Sequence, residues 1–162
     1  SIGISKASNA SELEKAFALA LKYDNAVIAE TFIDGPEYTV AILGDSVLPV
    51  VGMKAKNDFY DYDAKYFSDA TSYFCPCDLS ADEEKVLGEL ARNAYEAVGC
   101  YGWGRVDVMR DNEGDFWLLE VNTVPGMTDH SLVPMAAKQA GIGFDELVLE
   151  ILASSHIDRE RD

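Results

Sequence analysis

The sequence predicts an α+β fold, a mainly antiparallel sheet flanked by helices, and three observations carry that prediction. Two pairs of apolar stretches are each joined by turn residues, as hairpins are. Amphipathic helical stretches lie among them. Strands, helices and hairpins alternate without a regular βαβ repeat, which disfavours a doubly wound parallel sheet. The 162 residues, 48% hydrophobic and 26% charged, suit one globular domain, or one domain plus a piece of another.

Residues 9–23 read as a helix, because Leu13, Ala16, Phe17, Ala20 and Leu21 recur at helical spacing and Ser11 with Glu14 fits a capping box. Asp24-Asn25 break it, and residues 26–30 read as a short buried strand. Residues 37–43 and 46–54 form a hairpin around Gly44-Asp45. Pro49 marks the second strand as an edge or as bulged, since proline has no N–H for a ladder.

Residues 57–79 show no period, yet hold seven of the seventeen aromatics, among them Tyr60, Tyr62 and Tyr66. So apolar a stretch is no disordered linker, and it reads as a lid or Ω-type loop. A helix capped by Ser80 and Glu83 follows, with Val86, Leu87, Leu90, Ala91, Ala94, Tyr95 and Val98 as its buried stripe and Gly99 as its end. Residues 104–110 and 116–122 are strands around Asn112-Glu113-Gly114-Asp115, and Pro125-Gly126 opens an irregular loop. Two short helices, 132–140 and 144–154, precede a polar tail.

Charge narrows the function. Against 29 Asp and Glu stand 13 Lys and Arg, a formal net charge of −16, which argues against nucleic acid and anionic membranes as partners. No apolar run reaches the roughly 20 residues of a membrane helix. Cys75, Cys77 and Cys100 lack zinc-ribbon spacing and are odd in number, as expected of reduced thiols in a cytoplasmic protein. The sequence opens at Ser1 without a Met or a secretory signal pattern, as a piece of a longer protein would.

The second hairpin is where chemistry concentrates. Counting outward from its four-residue turn, Asp111 faces Phe116, Met109 faces Leu118, Asp107 faces Glu120, and Arg105 faces Asn122, all on one side of the sheet. Val106 and Val108 against Trp117, Leu119 and Val121 supply the apolar side. Carboxylates opposed at about 5 Å repel by about 3 kcal/mol at an effective dielectric of about 20. A divalent cation turns that repulsion into attraction, and two carboxylates with the Asn122 carbonyl oxygen suit Mg²⁺. The alternative is a different register with both acids splayed into solvent. Arg105 either makes a local salt bridge or reaches an anion formed during reaction. Neither a Gly-x-x-x-x-Gly-Lys-Ser/Thr loop nor a Gly-x-Gly-x-x-Gly turn is present. Lys65 is either a solvated charge or a phosphate ligand within the aromatic segment, and the Gly126 N–H is available to an oxyanion. His130 reads as a loop residue orienting the Ser131 turn, and His156 as a solvated tail residue.

Together these stretches resemble the D-alanine–D-alanine ligase family of the ATP-grasp superfamily. The resemblance runs through Glu30-Thr31-Phe32-Ile33, Gly35-Pro36-Glu37-Tyr38-Thr39-Val40 and Tyr60-Asp61-Tyr62-Asp63-Ala64-Lys65-Tyr66. It continues through Gly102-Trp103-Gly104-Arg105-Val106-Asp107-Val108-Met109, Leu119-Glu120-Val121-Asn122-Thr123, Pro125-Gly126-Met127-Thr128 and His130-Ser131-Leu132-Val133-Pro134-Met135. These motifs lie in family order over residues 1–154.

The resemblance implies an ATP-grasp C-terminal domain over residues 31–155 with a lid at 57–79, the end of the central ATP-binding subdomain at 1–30, and a tail at 156–162. It implies that ATP phosphorylates one D-alanine carboxylate and that the amino group of a second D-alanine attacks the acyl phosphate, for peptidoglycan synthesis. Asp107, Glu120 and Asn122 would hold two Mg²⁺ ions, with Mn²⁺ as a substitute. Arg105 and the Gly126 N–H would stabilise the oxyanion, Lys65 would contact the transferred phosphate, and Tyr66 would close the lid. Glu30 with the backbone of Thr31, Phe32 and Ile33 would recognise adenine, Glu37 the ribose, and Ser1 would end the glycine-rich phosphate loop. Ser131 and the Leu132 N–H would hold the second D-alanine, and the full-length protein would be a homodimer.

Thr31 departs from the pattern, because many relatives carry Lys there. The family's N-terminal domain, two ATP-binding lysines and the start of its glycine-rich loop would precede Ser1, so the chain alone is expected to have little ligase activity. Ala64-Lys65-Tyr66 favours D-alanine over D-lactate or D-serine as second substrate. The other readings are a non-catalytic nucleotide- or cation-binding module, which gives Lys65 and Arg105 no job, and a paired-carboxylate hydrolase, which leaves Asn122 and the lid without one.

Overall fold

The computed structural model describes residues 2–55 and 71–155, so Ser1, Lys65, Tyr66, His156 and most of the expected lid lie outside the described residues. By its contacts the chain divides into two units. One holds the residues up to Ile33 with the segment edges at Ala55 and Thr71; the other holds Asp34–Lys54 and the residues from Ser72 onward.

The first unit contains helix α1, Ala10–Ala20. Its cap differs from the expected Ser11–Glu14 box. Asn9 is the N-cap, its side chain accepting the Glu12 N–H at 3.0 Å, while Glu12 accepts the Ser8 N–H at 2.7 Å. Ser11 already lies within the first turn, past the position from which a side chain caps. Residues 26–30 form no strand, and Ile28 is 82% exposed. Apolar character alone makes no strand, which needs a hydrogen-bonded neighbour. None of the described strands pairs with this segment.

The second unit is built on a six-stranded sheet. Its strands are β1 (Glu37–Leu43), β2 (Ser46–Val47), β3 (Val51–Ala55), β4 (Thr71–Phe74), β5 (Trp103–Arg110) and β6 (Phe116–Asn122). The order is β4-β3-β1-β5-β6, with β2 also paired to β1. β1 runs antiparallel to β2, β3 and β5, and β5 antiparallel to β6. The first hairpin forms as predicted, and Pro49 falls in its irregularity. Ile42 pairs with Val47 but Thr39 pairs with Val51, so one extra residue interrupts the ladder between β2 and β3. Thr71–Phe74, expected as part of a periodless loop, is a strand.

Alternation along β1 and β5 sorts the core. Tyr38, Val40, Ile42, Val106 and Val108 face helix α2, Ala81–Ala97, which buries Leu87, Ala91 and Tyr95 against them. The expected stripe was wider. Val86 and Val98 are 57% and 64% exposed, because the sheet covers only the side of the helix centred on Leu87 and Ala91. Ser80 and Glu83 make the predicted capping box, and Gly99, at φ 74°, takes the left-handed conformation that ends the helix. On the opposite face, Ala41, Leu43 and Val51 pack with helices α3 (Leu132–Gln139) and α4 (Phe144–Ser154) through Val133, Ala136, Ala137 and Leu147. Beside them on the same face lie the polar Thr39, Arg105, Asp107, Glu120 and Asn122.

Candidate active site

The polar part of this face is assembled by register. Pairing of β1 with β5 sets Thr39 opposite Asp107 and Glu37 opposite Met109; pairing of β5 with β6 sets Asp107 opposite Glu120 and Arg105 opposite Asn122. The two acidic partners therefore meet as counted from the turn, although the outer half of the count is wrong. Leu119 is an extra residue on β6, so Val108 pairs with Leu118, Met109 with Trp117 and Arg110 with Phe116. This bulge turns Phe116 toward the α2 side, where it meets Tyr38 edge-on. It also leaves Trp117 and Leu119, expected on the buried apolar face, 45% and 46% exposed.

Asp107 is 3% exposed, and both its oxygens are hydrogen-bonded. Arg105 donates from Nε to Oδ1 at 2.8 Å and from Nη2 to Oδ2 at 2.7 Å. Thr39 donates its hydroxyl to Oδ1 at 2.6 Å, and Asn122 donates Nδ2 to Oδ2 at 2.9 Å. The same Asn122 nitrogen lies 3.3 Å from Glu120 Oε1, so one amide group bridges both carboxylates. Burial pulls the Arg105 guanidinium down, but the hydrogen bonds and charge of Asp107, then the charges of Glu120 and Glu37, outweigh it and hold Arg105 above its ordinary value. The arginine is thus a fixed cation among three carboxylates. Both readings of Arg105 began from this position, and the salt bridge is the one present here.

This donor set fits a divalent cation. The Asn122 amide bridges the two carboxylates as a partial positive charge, and turned over it would offer Oδ1 as a hard oxygen ligand beside theirs. Among the described residues, no group of three or more His, Cys, Asp or Glu could hold a metal ion, so the ligands offered here are two carboxylates and one amide.

Four residues beyond Asn122, a second group comes together. Ser131 is the N-cap of α3, but its hydroxyl does not cap the helix. It accepts the Thr128 N–H at 2.9 Å and meets the Thr128 hydroxyl at 3.0 Å. Thr128, and not His130, is the side chain that closes this turn. A Cβ on Gly126 would stand 3.0 Å from Ser131 Oγ, so glycine is what lets the two approach. Gly126, Ser131 and Leu132 therefore sit together at a helix N-terminus, where backbone N–H groups favour an anion.

The expected adenine-binding residues belong to the first unit. Glu30, Thr31 and Phe32 are exposed, in irregular backbone of the first unit with Ile33, and Lys6 Nζ stands 3.5 Å over the Phe32 ring. A cavity of about 440 Å³ near Val86, Leu90 and Phe116 is lined by none of the candidate residues. Sequence reasoning missed Thr39 and Thr128. A threonine inside the run 38–43, otherwise aliphatic but for Tyr38, was a visible signal for Thr39, but its partner is 68 residues away.

Comparison with known proteins shows the family. The family model described as D-ala D-ala ligase C-terminus matches residues 1–153. D-alanine–D-alanine ligases of Chromohalobacter salexigens and Saccharophagus degradans are each 58% identical, over 93% and 96% of this chain. The chain spans about half the length of these curated relatives, 48% and 49%. Among solved structures, the D-alanine–D-alanine ligase of Bacillus anthracis complexed with ATP superposes with a TM-score of 0.77 at 32% identity, covering 90% of this chain and 48% of that one. The VanG D-Ala:D-Ser ligase of Enterococcus faecalis gives 0.78 at 34%, covering 90% of this chain and 43% of that one. Two carboxylates opposed across one hairpin, and a glycine-backed serine at a helix start, thus sit on a sheet shared with these enzymes, and the chain belongs to the D-alanine–D-alanine ligase C-terminal family.

Proposed function

We propose that this chain is the catalytic C-terminal part of a D-alanine–D-alanine ligase, joining two D-alanines at the expense of ATP through an acyl phosphate. The observation that carries the reading is the bridged pair Asp107–Glu120, with Asn122 between them and Arg105 beside them. Asp107, Glu120 and Asn122 would hold Mg²⁺, which when bound neutralises and orients the phosphates of ATP. Arg105, a cation with donors left over beyond its two bonds to Asp107, supports negative charge developing on the reacting carboxyl group. The Gly126 N–H serves the same oxyanion. Ser131 and the Leu132 N–H, at the start of α3, hold the carboxylate of the second D-alanine. Lys65 contacts the transferred phosphate and Tyr66 closes over the site. Glu37 binds the ribose, and Glu30 to Ile33 recognise adenine. D-alanine ligation accounts for the arginine and the helix-start serine together; a structural metal site needs neither. Fold likeness is equal for the D-Ala and D-Ala:D-Ser enzymes, so the choice of D-alanine rests on Ala64-Lys65-Tyr66.

Calorimetry of the chain with Mg²⁺ and a non-hydrolysable ATP analogue tests this. Mg²⁺-dependent nucleotide binding is expected, and Asp107→Asn and Glu120→Gln are each expected to abolish it. Glu120 is exposed, so its variant keeps the fold. Unchanged nucleotide binding in both variants, with only stability lost, would instead favour a structural cation.

A further inference from the structure

We infer that Thr39 is a positioning residue for Asp107, holding that carboxylate in place while its other partners engage substrate or cation. The inference rests on the cation reading above. Thr39 and Asp107, 1% and 3% exposed, are the two buried polar or charged residues among those described, and they touch. Strand-forming tendency alone would explain a β-branched residue on β1, but valine supplies that without burying a hydroxyl. The hydroxyl has one proton and two acceptors in range, Asp107 Oδ1 at 2.6 Å and the Val106 carbonyl at 3.3 Å. The shorter bond, to a charged acceptor, is the stronger and takes the proton.

The three described residues that donate to Asp107 differ in what else they must do. Arg105 serves a developing anion and Asn122 would turn its amide to present oxygen, so each has a second task. Thr39 has none. Its χ1 is restricted by β-branching, and its strand is held on one side by β3 and on the other by β5. Among the described partners of Asp107 it is the one with no second task, and such outer partners govern the affinity of a ligand carboxylate for its ion.

Binding of Mn²⁺ to the 162-residue chain without nucleotide, read from the paramagnetic resonance signal of the free ion, tests this. The wild-type chain is expected to show a site that Asp107→Asn removes. Thr39→Val, nearly isosteric, is expected to weaken that site by about tenfold or more, in the range seen for outer-shell partners. Thr39→Ser, which keeps the donor, is expected to recover most of the affinity. Should the valine variant not fold, Thr39→Ser against Thr39→Ala carries the same comparison, with Ser binding and Ala impaired. Wild-type affinity in the folded variant lacking the donor would overturn the inference, as would a serine variant as weak as the valine or alanine one. No Asp107-dependent site in the wild type would overturn the cation reading itself, and this inference with it.

Discussion

Asp111 shows how much one side chain does for the hairpin that carries the site. Its Oδ1 accepts the N–H groups of Glu113 and Asp115, each at 2.9 Å, and its Oδ2 accepts the Trp117 indole N–H at 2.7 Å. The Trp117 bond first, then the backbone N–H bonds, hold the carboxyl below the ordinary Asp value of 3.8. A carboxyl whose pKa is lower folded than unfolded stabilises the fold fully above the unfolded value, and that contribution fades as pH falls through the folded value. Trp117 emission is therefore expected to change in a titration step below pH 3.8, and Asp111→Asn is expected to remove the step. A step at or above the ordinary value in the native chain would contradict the assignment.

At the scale of elements, α2 and the two hairpins place the site, and each depends on local chemistry at its ends. Ser80 Oγ accepts the Glu83 N–H, and Glu83 Oε2 accepts the Ser80 N–H at 2.8 Å, so two donors at the helix start are satisfied reciprocally. Glu83 also pairs with Arg110 on β5, tying the helix to the strand that carries Arg105 and Asp107. Ser80→Ala is expected to lower unfolding free energy by about 1 kcal/mol in urea melts. The effect on the cation site is expected to be small, because α2 packs on the other face of the sheet. Bulges matter as much as caps. The extra Leu119 on β6 leaves the Asp107–Glu120 pair intact while changing which face every residue beyond it takes.

For the molecule as a whole, the formal charge of −16 sets the background on which the site works. An excess of like charge opposes compactness, so any salt is expected to stabilise the fold by screening. A specific cation site adds binding free energy to the folded state beyond screening. Thermal melts at matched ionic strength are expected to show a higher Tm in MgCl₂ than in NaCl, and Glu120→Gln is expected to remove the difference while leaving the NaCl response. An equal response to both salts in the unaltered chain would indicate screening alone. The −16 charge disfavours anionic partners taken up without a cation, and among the described residues no helix is long and apolar enough to cross a membrane.

The amino-acid order was enough wherever the physics is short-ranged. The capping box at Ser80, the helix end at Gly99, the irregularity at Pro49 and the meeting of Asp107 with Glu120 all follow from residues a few positions apart or from one turn of known length. It misled where a neighbour was needed. Residues 26–30 looked like a strand but have no described strand to pair with, Asn9 displaced Ser11 as the cap, and one bulge left Trp117 and Leu119 about half exposed. Thr39 was unreadable as a partner of Asp107 because nothing local selects β5, rather than another apolar strand, as the neighbour of β1. That choice belongs to the packed sheet, in which non-local pairing and burial on both faces are settled together.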